Sequence, residues 1–219
     1  KRYTHPPVMV QVKNRLSQHR RTSCAESEAI PIGELSSMGI NVPRLAAYGS
    51  QWGGLLENRS FVAIERIPNA DALERKLPGF VTDKNQNGGP TARQDFIERL
   101  ARFVRRFHDT GYRHRDLYLA HIFHDDANRF HLIDLARAFR PLLMRERFRI
   151  KDIAQLYYSA PAGIFSMSDR LRFYRVYAGR KELTGQDRRF LRKVVRKANR
   201  MAAHDARHGR PAPFKGKRQ

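Results

Sequence analysis

His114-Arg115-Asp116-Leu117-Tyr118-Leu119-Ala120-His121 decides the reading of this chain, because it sets an acidic residue in a loop between a basic pair and a second histidine. Thirteen residues beyond His121 stands a second acidic position, Asp134, within Leu132-Ile133-Asp134-Leu135. Between them Asp125-Asp126-Ala127-Asn128 has turn composition, so Asp134 is expected at the end of a strand returning from a hairpin. Phosphoryl transfer needs two such carboxylates. One must lie beside the attacking hydroxyl, and the other must hold a divalent cation on the phosphates. Asp116 is the candidate for the first role and Asp134 for the second, with His121 placed as a further cation ligand.

Upstream, Phe96, Leu100, Phe103, Val104 and Phe107 recur at helical spacing. That stripe predicts a helix with one core-facing side leading into the loop, with Thr91 and Gln94 as its capping box. Residues 77–92 contain Pro78, Gly79, Gly88, Gly89 and Pro90, a composition that predicts a mobile loop and a lobe boundary. Ser23 and Glu26 form an earlier capping box, opening a helix over 24–38 that bends near Pro31 and ends at Gly39. Ile40 to Tyr48 reads as extended, Gly53-Gly54 as a hairpin turn, and Phe61 to Glu65 as a strand. Residues 8–16 show only weak patterning. Downstream, helices are expected over 150–159, 168–178 and 185–203, the last strongly basic. Pro211 and Pro213 stand in a polar tail. The organisation is therefore α+β: a small lobe over 1–76, a boundary over 77–92, a mostly helical lobe over 93–204 and a basic tail over 205–219.

Lys and Arg number 43 against 21 Asp and Glu, a formal net charge of +22. A field that strong favours polyanionic partners: nucleic acid, anionic lipid headgroups or phosphorylated glycans. Apolar residues make up 41% of the chain, enough to build a core, which excludes a disordered chain. Cys24 is the single cysteine, so no internal disulfide forms and a reducing compartment is expected. No apolar run approaches the roughly 18 residues that span a bilayer.

At the quoted residues the chain resembles the protein-kinase-like superfamily. It is most similar to the lipopolysaccharide core kinase family, the Kdo and heptose kinases of the WaaP type. His114 to Asp116 match the catalytic His-Arg-Asp. His121 stands where protein kinases carry Asn, and Ile133-Asp134-Leu135 stands in place of Asp-Phe-Gly. Glu28, Leu35 and Gly39-Ile40-Asn41-Val42-Pro43 match the family's helix-C pattern, and Lys1-Arg2-Tyr3 matches its strand lysine. The resemblance covers residues 1 to 160.

The resemblance implies a protein-kinase-like two-lobed fold with a reduced or truncated N-terminal lobe. It implies ATP-dependent phosphorylation of a sugar hydroxyl in the lipopolysaccharide inner core, with ATP and Mg2+ as cofactors. Asp116 would accept the hydroxyl proton, while His114 and Arg115 support the loop. Asp134 and His121 would bind magnesium. Lys1 would contact the nucleotide phosphates and pair with Glu28, and Glu65 to Ile67 would form the hinge that holds the adenine. The implied acceptor is a lipopolysaccharide precursor or another phosphorylated glycolipid. The implied location is cytoplasmic, peripheral on the anionic surface of the inner membrane.

Two departures from the pattern shape the expectation. No glycine-rich loop precedes Lys1, which points to an incomplete small lobe or to a chain of low activity. Only 17 residues separate Asp134 from Asp152, too few for a peptide-binding activation segment, which argues for a non-protein acceptor. Asp152 itself is expected to anchor the catalytic loop from a helix. The alternatives are a catalytically weak pseudokinase, a basic module that holds nucleic acid or another partner, and a kinase for protein or a small molecule. The apolar side of the last helix, with Phe190, Val194 and Ala198, is expected to pack on the large lobe. Its cations, Arg188 to Arg200, are expected to meet solvent or an anionic surface.

Overall fold

β-strands β1 (Arg2–Thr4), β2 (Leu45–Gly53) and β3 (Leu56–Ile64) form one antiparallel sheet in the order β1-β3-β2. The β2–β3 connection turns at Gly54, whose φ of +64° suits a residue without a Cβ. A computed structural model, it describes residues 1–18, 21–82, 89–210 and 212–215. The inner side of the sheet buries Val62 against Ala25 and Ala29 of the α2 region. Helix α2 (Glu26–Ser37) is entered through the predicted box: Ser23 N–H donates to the Glu26 carboxylate at 2.7 Å, and Glu26 N–H donates to Ser23 Oγ at 3.1 Å. Pro31 lies inside the helix, and Gly39, at φ +72°, turns the chain out of it. The other face of the sheet leaves Phe61 about half exposed.

Helix α1 (Val8–Gln18), where the sequence shows only weak patterning, has no buried residue. Residues 40–44 are irregular rather than extended strand, and they dock on the other lobe. Leu132 N–H donates to Asn41 O at 3.0 Å, and the Asn41 side-chain amide donates to Phe130 O at 3.0 Å.

The expected loop over 77–92 is corrected at both ends. Helix α3 (Leu73–Thr82) continues to residue 82, because Leu73 and Leu77, one turn apart, are both buried and anchor it. Helix α4 (Gly89–Asp109) already begins at residue 89, which puts Thr91 inside the first turn rather than at a cap. Residues 19–20, 83–88, Pro211 and residues 216–219 lie outside the described residues. A second sheet, β4 (Ala70–Ala72), β5 (Ile122–Asp125) and β6 (Phe130–Leu132), carries the loops of interest.

The predicted α4 stripe is core throughout: Phe96, Leu100, Phe103, Val104 and Phe107 are each at most 5% exposed. They pack with residues from α5 (Arg145–Ser159), α6 (Met167–Ala178) and α7 (Gly185–Ala206). Helix α7 buries Phe190, Val194, Ala198 and Ala202 and leaves Arg188, Arg192, Arg196 and Arg200 exposed. Among the described residues no helix is long and apolar enough to cross a membrane.

Candidate active site

The catalytic-loop candidates follow α4 directly. Their backbone is held from beneath by α5. Asp152, fully buried, accepts from His114 N–H and Arg115 N–H, both at 2.8 Å, as the sequence led one to expect. His108 Nε2 lies 3.2 Å from the same carboxylate. Three donors on one buried carboxylate hold it in its ionised form. Burial acts to raise the Asp152 pKa, and His108 with the backbone donors more than offsets it, leaving the group below the usual range. Gln155, one turn on, accepts from Leu117 N–H at 3.1 Å and donates to Arg115 O at 2.8 Å. Arg115 is thereby held at φ +69°, a conformation that costs a non-glycine residue about 1–3 kcal/mol and needs such support.

His114 is fully buried and its ring donates through Nε2–H to Ile133 O at 3.0 Å. Burial drives its pKa down, so it stands neutral and braces the loop against the Asp134 segment. His121 joins the two acidic positions. Its Nδ1 is 2.7 Å from Asp116 O, a carbonyl that can only accept, so in the neutral ring the proton sits on Nδ1. The Nε2 lone pair then faces Asp134 Oδ2 at 3.8 Å. A lone pair and a carboxylate turned toward each other are the donor set of a cation. The Asp134 carboxylate with phosphate oxygens and water would give the oxygen shell that magnesium prefers, to which His121 can add one nitrogen ligand. The residues present fit such an ion.

Asp134 sits at φ 55°, ψ 59°, a left-handed position between β6 and the short turn Leu135–Arg137. There its Oδ1 accepts from Lys1 Nζ at 2.7 Å. Lys1 also donates to both oxygens of Glu28, at 2.8 and 3.0 Å. Glu28 is buried on α2, so the lysine joins the small lobe to the large one. Burial acts to lower the Lys1 pKa, but the hydrogen bonds to Asp134 and Glu28 win and raise it, so it stays cationic. Asp134 is correspondingly lowered, with Lys1 overcoming its partial burial.

Glu65 and Ile67 lie in the irregular segment between β3 and β4 that joins the two sheets. Glu65 N–H donates to Arg44 O at 2.8 Å, and its carboxylate pairs with Arg44 at 3.4 Å. Every other predicted site residue belongs to one connected cluster. Three members were not expected from the sequence. Arg137 donates to both oxygens of Asp116, at 3.0 and 2.7 Å. Lys151 donates to Arg115 O and stands 3.8 Å from Asp116 Oδ1. Gln155 is the third, and its position three residues after Asp152 on a helix is the one signal the sequence offered. Among the described residues no group of three or more His, Cys, Asp or Glu side chains forms a metal cluster.

A lysine–glutamate pair in the small lobe that reaches across to a second aspartate at a left-handed turn, with a braced His-Arg-Asp loop, defines a protein-kinase-like phosphotransferase. The sequence matches the lipopolysaccharide kinase (Kdo/WaaP) family over residues 10–177, and the chain belongs to that family. It is 31% identical over 208 residues to a lipopolysaccharide core heptose(I) kinase WaaP of Pseudomonas aeruginosa, covering 90% of this chain and 76% of the relative. It is 26% identical over 207 residues to the protein of that description from Escherichia coli K12, covering 90% and 77%. A solved structure of WaaP in complex with acyl carrier protein matches with a TM-score of 0.67 at 28% identity, over 81% of this chain and 76% of that one. The chain is thus a sugar kinase of lipopolysaccharide core synthesis that uses ATP.

Proposed function

We propose that this chain transfers the γ-phosphoryl group of ATP to a heptose hydroxyl of the lipopolysaccharide inner core. The observation that carries the reading is His121, whose ring contacts the Asp116 backbone at 2.7 Å and faces the Asp134 carboxylate at 3.8 Å. Its support for the heptose acceptor comes from the relatives, each described as a heptose(I) kinase. Asp116 orients the sugar hydroxyl and takes its proton as the oxygen attacks phosphorus. Asp134 and His121 would hold Mg2+, which when bound neutralises phosphate charge. Lys1, fixed by Glu28, directs a cation at the nucleotide phosphates. Arg137 and Lys151 flank Asp116 and supply positive charge where negative charge develops. Displacing Arg137 from Asp116 frees the carboxylate for the hydroxyl. Residues 65–67 serve as the adenine-side hinge.

The test is transfer of labelled phosphate from ATP to two acceptors, a core glycolipid carrying unphosphorylated heptose and one ending at Kdo. Label on the heptose acceptor alone is expected. Label on the Kdo acceptor, or on the protein only, would refute the heptose assignment. Peripheral attachment to the cytoplasmic face of the inner membrane belongs to the same reading. It is supported by the exposed cations of α7 and by α1, whose Val8, Met9, Val12 and Leu16 are 45–69% exposed. RNA, the other polyanion a +22 chain attracts, is the control for it.

A further inference from the structure

Behind the catalytic loop, on the far side of Asp152, the ends of α4, α5, α6 and α7 enclose a cavity of about 510 Å³. Its charge is lopsided. Six cations line it (Arg105, Arg113, Arg149, Arg180, Arg189 and Lys193) against the carboxylates of Asp109, Glu146 and Asp187. Each carboxylate already has a partner: Arg105 with Asp109 at 3.6 Å, Arg180 with Asp187 at 3.6 Å and Lys193 with Glu146 at 2.7 Å. Arg113, Arg149 and Arg189 are left without an ion pair among the described residues. His108 adds no positive charge, since burial keeps it neutral.

Arg113 is buried and Arg149 half-buried, and the Nε of each is left without a hydrogen-bond partner among the described residues. Arg113 is 8% exposed, and its Nη1 donates to His108 O and Tyr112 O, yet its Nε has no partner. Arg149 Nε is also buried without a partner, while its guanidinium lies 4.8 Å from the Phe190 ring centroid. Buried donors left unmade are costly, and unpaired cations lining one cavity repel one another. An oxyanion that enters the cavity offsets that repulsion. Guanidinium forks match the paired oxygens of a phosphate, which chloride cannot reproduce. The walls beyond the cations are aromatic, formed by Tyr174, Tyr177 and Phe190, and the space exceeds what a bare phosphate needs.

We propose that this cavity is a second ligand site, separate from the catalytic cleft, that binds the phosphate group of a small phosphorylated molecule between Arg113, Arg149 and Arg189. The site backs directly on the catalytic loop. The Tyr177 hydroxyl lies 2.8 Å from His108 Nδ1, His108 Nε2 lies 3.2 Å from Asp152, and Asp152 holds the backbone of His114 and Arg115.

The test is calorimetric titration of the full chain with inorganic phosphate and, separately, with a soluble hexose 6-phosphate, at fixed ionic strength beside chloride and acetate controls. Phosphate binding is expected in the parent and equally in Asp134→Ala, which disables the catalytic cleft. It is expected to weaken about tenfold or more in the Arg149→Gln, Arg189→Gln double variant, since charge-assisted contacts are lost. The double variant should melt no lower than the parent in phosphate-free buffer, because it relieves repulsion. Should it melt lower, Arg189→Gln alone, at an exposed position, carries the affinity test. Tighter binding of the hexose phosphate identifies a phosphosugar site, and equal binding identifies phosphate itself as the ligand. No binding by the parent, an equal response to chloride, or binding that survives the double variant and disappears in Asp134→Ala would each overturn the proposal.

Discussion

Asp134 and Asp152 are two carboxylates of one lobe, both held below the usual carboxylate range, and the protein holds them by opposite means. Asp134 is 46% exposed, with a lysine from the other lobe at 2.7 Å and a histidine at 3.8 Å. Asp152 is fully buried and carries two backbone N–H groups and a histidine. An exposed ion pair is screened and contributes little to folding, so its partner can be exchanged for a ligand. A buried carboxylate with three donors cannot release them without a large loss of stability. The site is therefore a rigid loop, set by Asp152, facing an exchangeable cation position, set by Asp134.

The largest stability effect should come from breaking the rigid half. Asp152→Ala leaves two buried N–H groups unpaired, at about 1–3 kcal/mol each. Its melting temperature should fall by roughly 5–15 °C in a chain of this size. Asp134→Ala should move it by no more than about 4 °C, since exposed pairs contribute about 0–1 kcal/mol. Equal losses, measured by calorimetry, would remove the distinction.

Acid should weaken the rigid half next. Burial lowers the pKa of His108 and His114 below 6.5, and that of His124 to about 4. The unfolded chain then binds protons that the folded one refuses. Stability is present in full above pH 6.5 and falls as pH drops below it, by up to about 1.4 kcal/mol per pH unit for each histidine. Melting curves from pH 7.5 to 5 should show this slope, and His114→Gln should flatten it. An unchanged slope in that variant would assign the effect elsewhere.

The smallest effect on stability is expected far from both aspartates. Replacing Arg192, Lys193, Arg196 and Lys197 with Gln should cost no more than about 1 kcal/mol, because exposed charges contribute little. Co-sedimentation with anionic liposomes should nonetheless fall sharply, and high salt should have the same effect on the parent. A variant that sediments like its parent at both salt levels would limit α7 to packing.

The features legible in the sequence were those with local signals. The α4 stripe, the Ser23 box, the Gly53-Gly54 hairpin and the spacing of Asp116, His121 and Asp134 each use residues whose type and interval encode the geometry. What stayed hidden depended on distant contacts. Arg137 reaches Asp116 across 21 positions, and nothing in Leu135-Ala136-Arg137 announces it. Helix α1 buries nothing, so Val8, Met9 and Val10 carry no core-facing stripe to read. Pro78 and Gly79 read as loop, yet the helix runs through them on the anchorage of Leu73 and Leu77.

The account's central claim is that Asp116 acts on the acceptor hydroxyl and Asp134 on the nucleotide. The direct measurement is the affinity of each variant for Mg-ATP, by titration calorimetry, beside its transfer rate to the heptose acceptor. Asp116→Asn should bind Mg-ATP within about twofold of the parent and lose roughly 10²–10⁴-fold in rate, the range for a general base. Asp134→Ala should lose nucleotide affinity itself. Equal loss of affinity in both variants, or an Asp116→Asn chain that transfers at the parent rate, would contradict it.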